Sequence, residues 1–155
     1  MAKQREPAQI SVEMIAEQCI AVRLRMLSRA VTRIYNQALR PYGLTTSQMN
    51  ILVAVSCLGE ARQQDVCQAL HLEKSTLSRD VVRMRNQGWL DAIPGEDGRT
   101  ALLSITAAGK GLLEQAIPAW QQAQAQATAL LGESEVSTFG RAATTLRLKS
   151  NTAHR

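Results

Sequence analysis

Hydroxyl and guanidinium side chains are concentrated in one short segment of the sequence, residues 73–89. Ser75, Thr76 and Ser78 come first, and three arginines follow. Hydroxyl groups form hydrogen bonds with phosphate oxygens and base edges, and the planar guanidinium group pairs with the O6 and N7 acceptors of guanine. These residue types in this order therefore predict binding to nucleic acid. The arginines are Arg79, Arg83 and Arg85.

The same segment has the apolar spacing of a helix. Leu77, Val81 and Met84 are separated by four and three residues, so they share one helical face. A helix that buries this face and exposes hydroxyl and guanidinium groups on the other suits the major groove of DNA. The opposite face carries Ser75, Arg79, Val82 and Asn86.

The side chains of this helix suggest different roles at the DNA. Arg79 is the candidate for a bidentate contact with guanine, and a phosphate contact is its alternative. Lys74, Arg83 and Arg85 are expected at phosphates or in solvent. The hydroxyl groups lie near the helix N-terminus, where backbone N–H groups also attract anions, and simple capping by Ser75 is the alternative. The predicted DNA-binding residues of this helix are Lys74, Ser75, Thr76, Ser78, Arg79 and Arg83.

Helical periodicity also dominates the flanking sequence. A helix over residues 11–40 would be about 45 Å long, and its narrow apolar seam therefore predicts a partner chain. Arg25, Arg29 and Arg33 beside the seam are either a solvated face or a site for an acidic effector. Further helices are predicted over 46–58 (capped by Thr45 or Thr46), 61–70, 107–131 and 133–149, with strands over 89–93 and 100–105. The seam residues are Val12, Ile15, Cys19, Val22 and Met26.

The composition restricts the class of protein. The 155 residues carry a formal net charge of +5, which suits a nucleic-acid partner without requiring one. Residues 61–100 contain six basic and six acidic residues, so the placement of the arginines is the stronger argument. No apolar run is long enough to cross a membrane and no export signal is visible, so we expect a cytoplasmic protein without a membrane partner.

Cysteine and histidine spacing predicts neither a metal site nor a catalytic centre. The three cysteines are expected to be reduced in the cytoplasm, and no CxxC pair is present. Cys67 and His71 are four residues apart but have no third partner for nucleophilic catalysis. We therefore expect no metal, no cofactor and no enzymatic activity.

Three segments in order resemble the MarR family of bacterial transcription regulators. They are LTTSQMNIL at residues 44–52, STLSRDVVRMRNQGWL at 75–90 and EDGRTALLSITAAGKGLL at 96–113. The resemblance implies a mainly α-helical winged helix-turn-helix fold with a small β-hairpin wing, and a homodimer. It divides the chain into an N-terminal dimerisation helix (10–43), a DNA-binding lobe (44–106) and C-terminal helices (107–150) that complete the dimerisation region.

The resemblance also assigns roles within the wing. Arg99 matches the arginine that reaches the minor groove next to the recognition helix, and Asp97 matches the residue that steadies it. Family wings usually begin with an additional Asp, whereas Pro94, Gly95 and Glu96 stand in that place here.

An Arg99→Ala variant is expected to bind DNA more weakly whatever the sequence, by roughly 1–3 kcal/mol. The physical reason is that a narrow minor groove concentrates negative potential, to which the guanidinium group responds. Fluorescence anisotropy with specific DNA at moderate salt measures the loss. An unchanged affinity would remove the assignment.

Family members often bind phenolic or aromatic acids, and four residues here could line such a pocket or belong to the core. They are Met26, Tyr35, Met49 and Trp120. Some relatives sense peroxide through a cysteine near the start of the first helix, so Cys19 is either a redox site or a small apolar residue of the seam. Peroxide release of DNA from the wild type but not from Cys19→Ser would favour the redox reading.

The sequence thus predicts a dimeric repressor that binds an imperfect inverted repeat in double-stranded DNA and is released by a small-molecule effector. Two alternatives remain open. The first is a cysteine-based redox regulator with the same fold, and the second is a winged-helix module for protein contact. Steep loss of binding with rising salt would distinguish DNA binding from protein contact.

Overall fold

The computed structural model describes the backbone of residues 11–95 and 101–152, and side chains up to residue 146. The chain divides into two compact units, Met1–Arg33 and Ile34–Arg155. Within the described residues, no helix combines the length and apolar character needed to cross a membrane.

The first unit contains α1 (Val12–Gln18) and the first part of α2 (Ile20–Leu39). The single helix predicted over residues 11–40 is therefore wrong at Cys19, whose backbone is extended (φ −64°, ψ 111°). The guanidinium group of Arg23 donates a hydrogen bond to the carbonyl of Glu17, one of the carbonyls left without a helical partner by this interruption. Ser11 caps α1 by accepting a hydrogen bond from the backbone N–H of Met14 (3.2 Å).

The second unit begins with the end of α2, and a short 3-10 turn over Arg40–Tyr42 follows. Helix α3 (Thr46–Leu58) is capped by Thr45, one of the two predicted caps. The Thr45 hydroxyl accepts from the backbone N–H of Gln48 (3.2 Å), and the Gln48 side chain accepts from that of Thr45 (3.0 Å). Thr46 has another role, because its hydroxyl donates to Asn36 Oδ1 (2.7 Å).

The described residues also form a small antiparallel sheet, whose strands lie between helices along the chain and have the order β1-β3-β2. Strands β2 (Leu90–Pro94) and β3 (Ala101–Ile105) form the predicted hairpin. Strand β1 (Ala61–Arg62) was not predicted, because these residues were expected in a helix. Ala61 pairs with Leu103, so that α4 (Gln63–Leu70) begins two residues later than expected.

Helix α5 (Lys74–Asn86) precedes the hairpin, and α6 (Ala107–Leu131) and α7 (Glu133–Thr152) follow it. Hydrogen bonds of Thr106 connect the start of α6 with the segment that follows α5. Its hydroxyl donates to the carbonyl of Gly88 (2.7 Å) and accepts from the backbone N–H of Gly109 (3.0 Å). Gly88 has φ +73°, which confirms the left-handed residue predicted after α5.

A Gly109→Ala variant is expected to have a lower free energy of unfolding, by about 1–3 kcal/mol. A Cβ atom at this position would overlap the carbonyl oxygen of Trp89 and lie 2.9 Å from Cγ1 of Ile105. Urea denaturation followed by circular dichroism measures the change. Gly111→Ala on the same helix is the matched control, because its Cβ meets no atom within 4 Å and alanine favours helix. Equal stability of the two variants would contradict the packing argument.

Candidate nucleic-acid interface

Helix α5 is seated on the core by its apolar face. Leu77 and Met84 are 0% exposed and Val81 is 3% exposed, as the spacing predicted. On the opposite side, Val82 is 57% exposed. Ser75, Arg79 and Asn86 are also exposed. The outward face therefore combines a hydroxyl, a guanidinium group, an amide and one apolar side chain.

A side-chain hydrogen bond fixes one flank of α5. The hydroxyl of Ser47, in the first turn of α3, donates to Asp80 Oδ2 (2.8 Å). The Asp80 side chain is 15% exposed, and its Oδ1 lies 4.0 Å from Nη1 of Arg83. This contact holds the rotation of α5 about its axis relative to α3. Sequence reasoning missed it, although an acidic residue beside Val81 on the border of the apolar face called for a polar partner.

A second hydrogen bond holds the other flank of α5. Ser78 Oγ donates to Oε1 of Gln63 on α4 (3.3 Å). Because the hydroxyl proton of Ser78 is directed at Gln63, its oxygen is left to accept rather than donate. Ser75 and Thr76 are therefore the hydroxyl residues better suited to donate to a phosphate.

The N-terminus of α5 carries no side-chain cap. Glu73 occupies the N-cap position and makes no capping hydrogen bond through its side chain. The capping alternative for Ser75 is therefore wrong, because this residue lies inside the first turn. Its hydroxyl stays on the exposed surface together with the side chain of Lys74.

The basic side chains of α5 extend into solvent. The Arg83 side chain is 72% exposed. Arg79 Nε donates to the carbonyl of Ser75 (3.3 Å), and this bond uses none of the protons on its two terminal NH₂ groups. A guanidinium group anchored in this way can present its two outer nitrogens to a pair of acceptors.

The wing is described only at its base. Leu90 pairs with Ile105 and Pro94 with Ala101, which places the two strands beside the end of α5. Asp97 and Arg99, to which roles in the wing were assigned, lie outside the described residues.

The four residues considered for an effector pocket have different surroundings. Met49 is 7% exposed and belongs to the core, and Tyr35 packs against that core. The Tyr35 hydroxyl donates to Gln124, and burial raises the pKa of this tyrosine. Trp120 is 40% exposed, whereas Met26 lies in the first unit and is 66% exposed.

An open cavity of about 790 Å³ lies between α3 and α4. Its walls are mainly apolar, and the thiol of Cys57 contributes to them. Cys57 is exposed, whereas Cys19 and Cys67 are partly buried. The apolar lining residues are Val53, Ala54, Leu58, Ala69 and Leu70.

Cys67 is expected to react with iodoacetamide more slowly than Cys57 at neutral pH. Burial, and next the negative charge of Glu73, raise the pKa of the Cys67 thiol, so less of it is thiolate, the nucleophilic form. Mass spectrometry of partly alkylated protein measures both rates, with denatured protein as the control in which they converge. Faster modification of Cys67 in the folded protein would contradict the burial argument.

The arrangement defines a class of protein. Helices α4 and α5 form a helix-turn-helix, and the β2–β3 hairpin follows as a wing, which together make a winged helix-turn-helix lobe. Residues 42–100 match the sequence model of the MarR family, and this match covers the chain from α3 to β2. Over these residues the chain is similar to the MarR family.

Known proteins resemble this chain over different lengths. It is 30% identical over 79 residues to YwoH of Bacillus subtilis, an uncharacterized HTH-type transcriptional regulator, a match covering 51% of this chain and 58% of YwoH. The chain spans about three fifths of the length of the curated relatives it matches.

Solved structures share the fold over most of the chain. A mutant form of Escherichia coli MarR in complex with operator DNA has a TM-score of 0.77 at 21% identity, covering 88% of this chain and 99% of that one. Bordetella bronchiseptica BpsR, whose DNA binding is regulated by 6-hydroxynicotinic acid, has a TM-score of 0.73 at 20% identity, covering 90% and 99%.

Proposed function

We propose that the protein is a transcriptional regulator that binds double-stranded DNA sequence-specifically as a homodimer. The observation that carries this proposal is the seating of α5, with Leu77 and Met84 buried beneath it and Ser75 and Arg79 facing outward. A helix presented in this way fits the major groove, where base edges differ among the four base pairs. Lys74, Thr76, Ser78 and Arg83 would add contacts at its edges, and Arg99, steadied by Asp97, would add the wing contact.

Exposed apolar side chains support the homodimer. Val12 is 77% exposed, Ile15 57% and Met26 66%, all in the first unit. A run of this kind is stabilised when a second helix covers it. We assign residues 10–43 and 107–150 to dimerisation and 44–106 to DNA binding. Light scattering should then give a mass twice the 17.0 kDa of one chain.

Two recognition helices about 34–36 Å apart would read an imperfect inverted repeat. An effector would act by favouring a dimer in which this spacing no longer matches the operator. A repressor released in this way needs a small ligand, and an aromatic or phenolic acid is proposed because BpsR responds to 6-hydroxynicotinic acid. Within the second unit, the residues proposed for this ligand are Tyr35, Met49 and Trp120.

The experiment that tests the proposal is fluorescence anisotropy of the full-length protein with the intergenic DNA beside its own gene. Binding is expected to be sequence-selective and to weaken steeply with salt, by a slope of about −0.9 for each phosphate contacted. Random DNA of the same length is the control. Equal affinity for both would contradict sequence-specific regulation from this site, and no binding at low salt would favour the protein-contact alternative.

The redox alternative has its own test within the same experiment. Cys19 is partly buried and interrupts the two helices of the first unit, so its oxidation would add a polar group where the backbone already leaves the helical path. Peroxide that releases DNA from the wild type but not from Cys19→Ser would support sensing. Release of DNA from both the wild type and Cys19→Ser would contradict sensing through Cys19.

A further inference from the structure

One apolar side chain stands on the outward face of α5. Val82 is 57% exposed, although the adjacent Val81 is 3% exposed. A β-branched residue has a lower helix propensity than alanine or lysine, and at an exposed position it gains less from packing than a buried residue does. Scattered exposed valines are ordinary on protein surfaces. The position of Val82, one turn after Arg79 and one turn before Asn86, is what sets it apart.

The surroundings of Val82 restrict what can cover it. Arg79 and Arg83 lie on the same exposed side of α5, and the Arg83 side chain is 72% exposed. Such a basic rim favours a polyanion over an apolar protein surface. The floor of the DNA major groove offers one apolar group, the 5-methyl group of thymine.

We infer that Val82 contacts the 5-methyl group of a thymine and thereby helps to set the sequence preference of the protein. This inference rests on the proposed function and deepens it. Side chains three residues apart on a helix are about 5–6 Å apart, and stacked base pairs are about 3.4 Å apart. The thymine therefore lies within about two base pairs of the base that Arg79 contacts.

The rotation of α5 supports this placement. Leu77 and Met84 are fully buried beneath the helix, and the Ser47–Asp80 hydrogen bond (2.8 Å) holds its flank. Turning Val82 away from the groove would expose those leucine and methionine side chains and break that bond. The orientation of Val82 relative to the core is therefore fixed, which a specific contact with one methyl group requires.

The test uses duplexes that the full-length protein enriches from a random pool of double-stranded DNA. Each thymine is replaced in turn by deoxyuridine, which lacks only the methyl group. At one position in each half-site the wild type should bind about three- to five-fold more weakly, the effect of removing one buried carbon from an apolar contact. Val82→Ala should bind the thymine and deoxyuridine forms equally.

The matched control is Val53→Ala, which shortens another exposed valine (43% exposed), on α3. It should keep the full deoxyuridine penalty. A penalty of equal size in Val82→Ala, or none at any position in the wild type, would overturn the inference while leaving sequence-specific binding intact. Failure to enrich any duplex would instead overturn the proposed function and the inference together.

Discussion

Replacing Arg79 by alanine is expected to weaken binding to the preferred operator by about 1–3 kcal/mol in each half-site, roughly five- to 150-fold. Affinity for random DNA should fall much less, so the preference for the operator is reduced. The reason is that the guanidinium group, held by its Nε bond to the Ser75 carbonyl (3.3 Å), offers two donors that match guanine. Anisotropy titrations with operator and random duplexes measure both affinities.

Arg85→Ala provides the matched control, since it removes the same charge from an exposed position of the same helix. It should make binding to both duplexes weaker by a similar factor and reduce the salt slope by about one for each protomer of the dimer. If Arg79→Ala weakened binding to both duplexes by a similar factor, Arg79 would contact phosphate. The predicted contact between Arg79 and guanine would then be wrong.

Replacing Leu77 by alanine is expected to lower the free energy of unfolding by about 2–5 kcal/mol. Leu77 is 0% exposed and lies on the face of α5 that rests on the core, so the shortened side chain leaves a cavity beneath the recognition helix. Urea denaturation measures the loss, and a weaker preference for the operator should accompany it because the helix is less firmly seated.

Leu58→Ala makes the same chemical change at a leucine that is 47% exposed. Folding removes only about half of this residue's surface from water, so the free energy of unfolding should change by less than for Leu77→Ala. Comparable losses in the two variants would show that burial beneath α5 is not the source of the effect.

Local signals in the sequence were sufficient for several elements. The spacing of Leu77, Val81 and Met84 predicted the buried face of α5 because a helix places every third and fourth residue together. Thr45 as a cap and Gly88 as a left-handed residue were also predictable, since each depends on its own backbone and near neighbours.

Features that join distant parts of the chain were missed. Ser47 and Asp80 are 33 residues apart, and Ala61 pairs with Leu103 across the sheet. Such contacts depend on the packed arrangement of several elements, which periodicity does not encode. The interruption at Cys19 was missed for a different reason, because the apolar spacing of residues 12–26 continues through it.

In α5, the residues that hold the helix in place are different from the exposed residues, and this separation is useful for protein engineering. Leu77, Met84 and Asp80 anchor the helix, whereas Ser75 and Val82 are exposed and take no part in the core. Randomising the codons of the exposed positions should therefore yield libraries in which most members still fold. Selection from such a library offers a route to regulators with new operators on an unchanged scaffold.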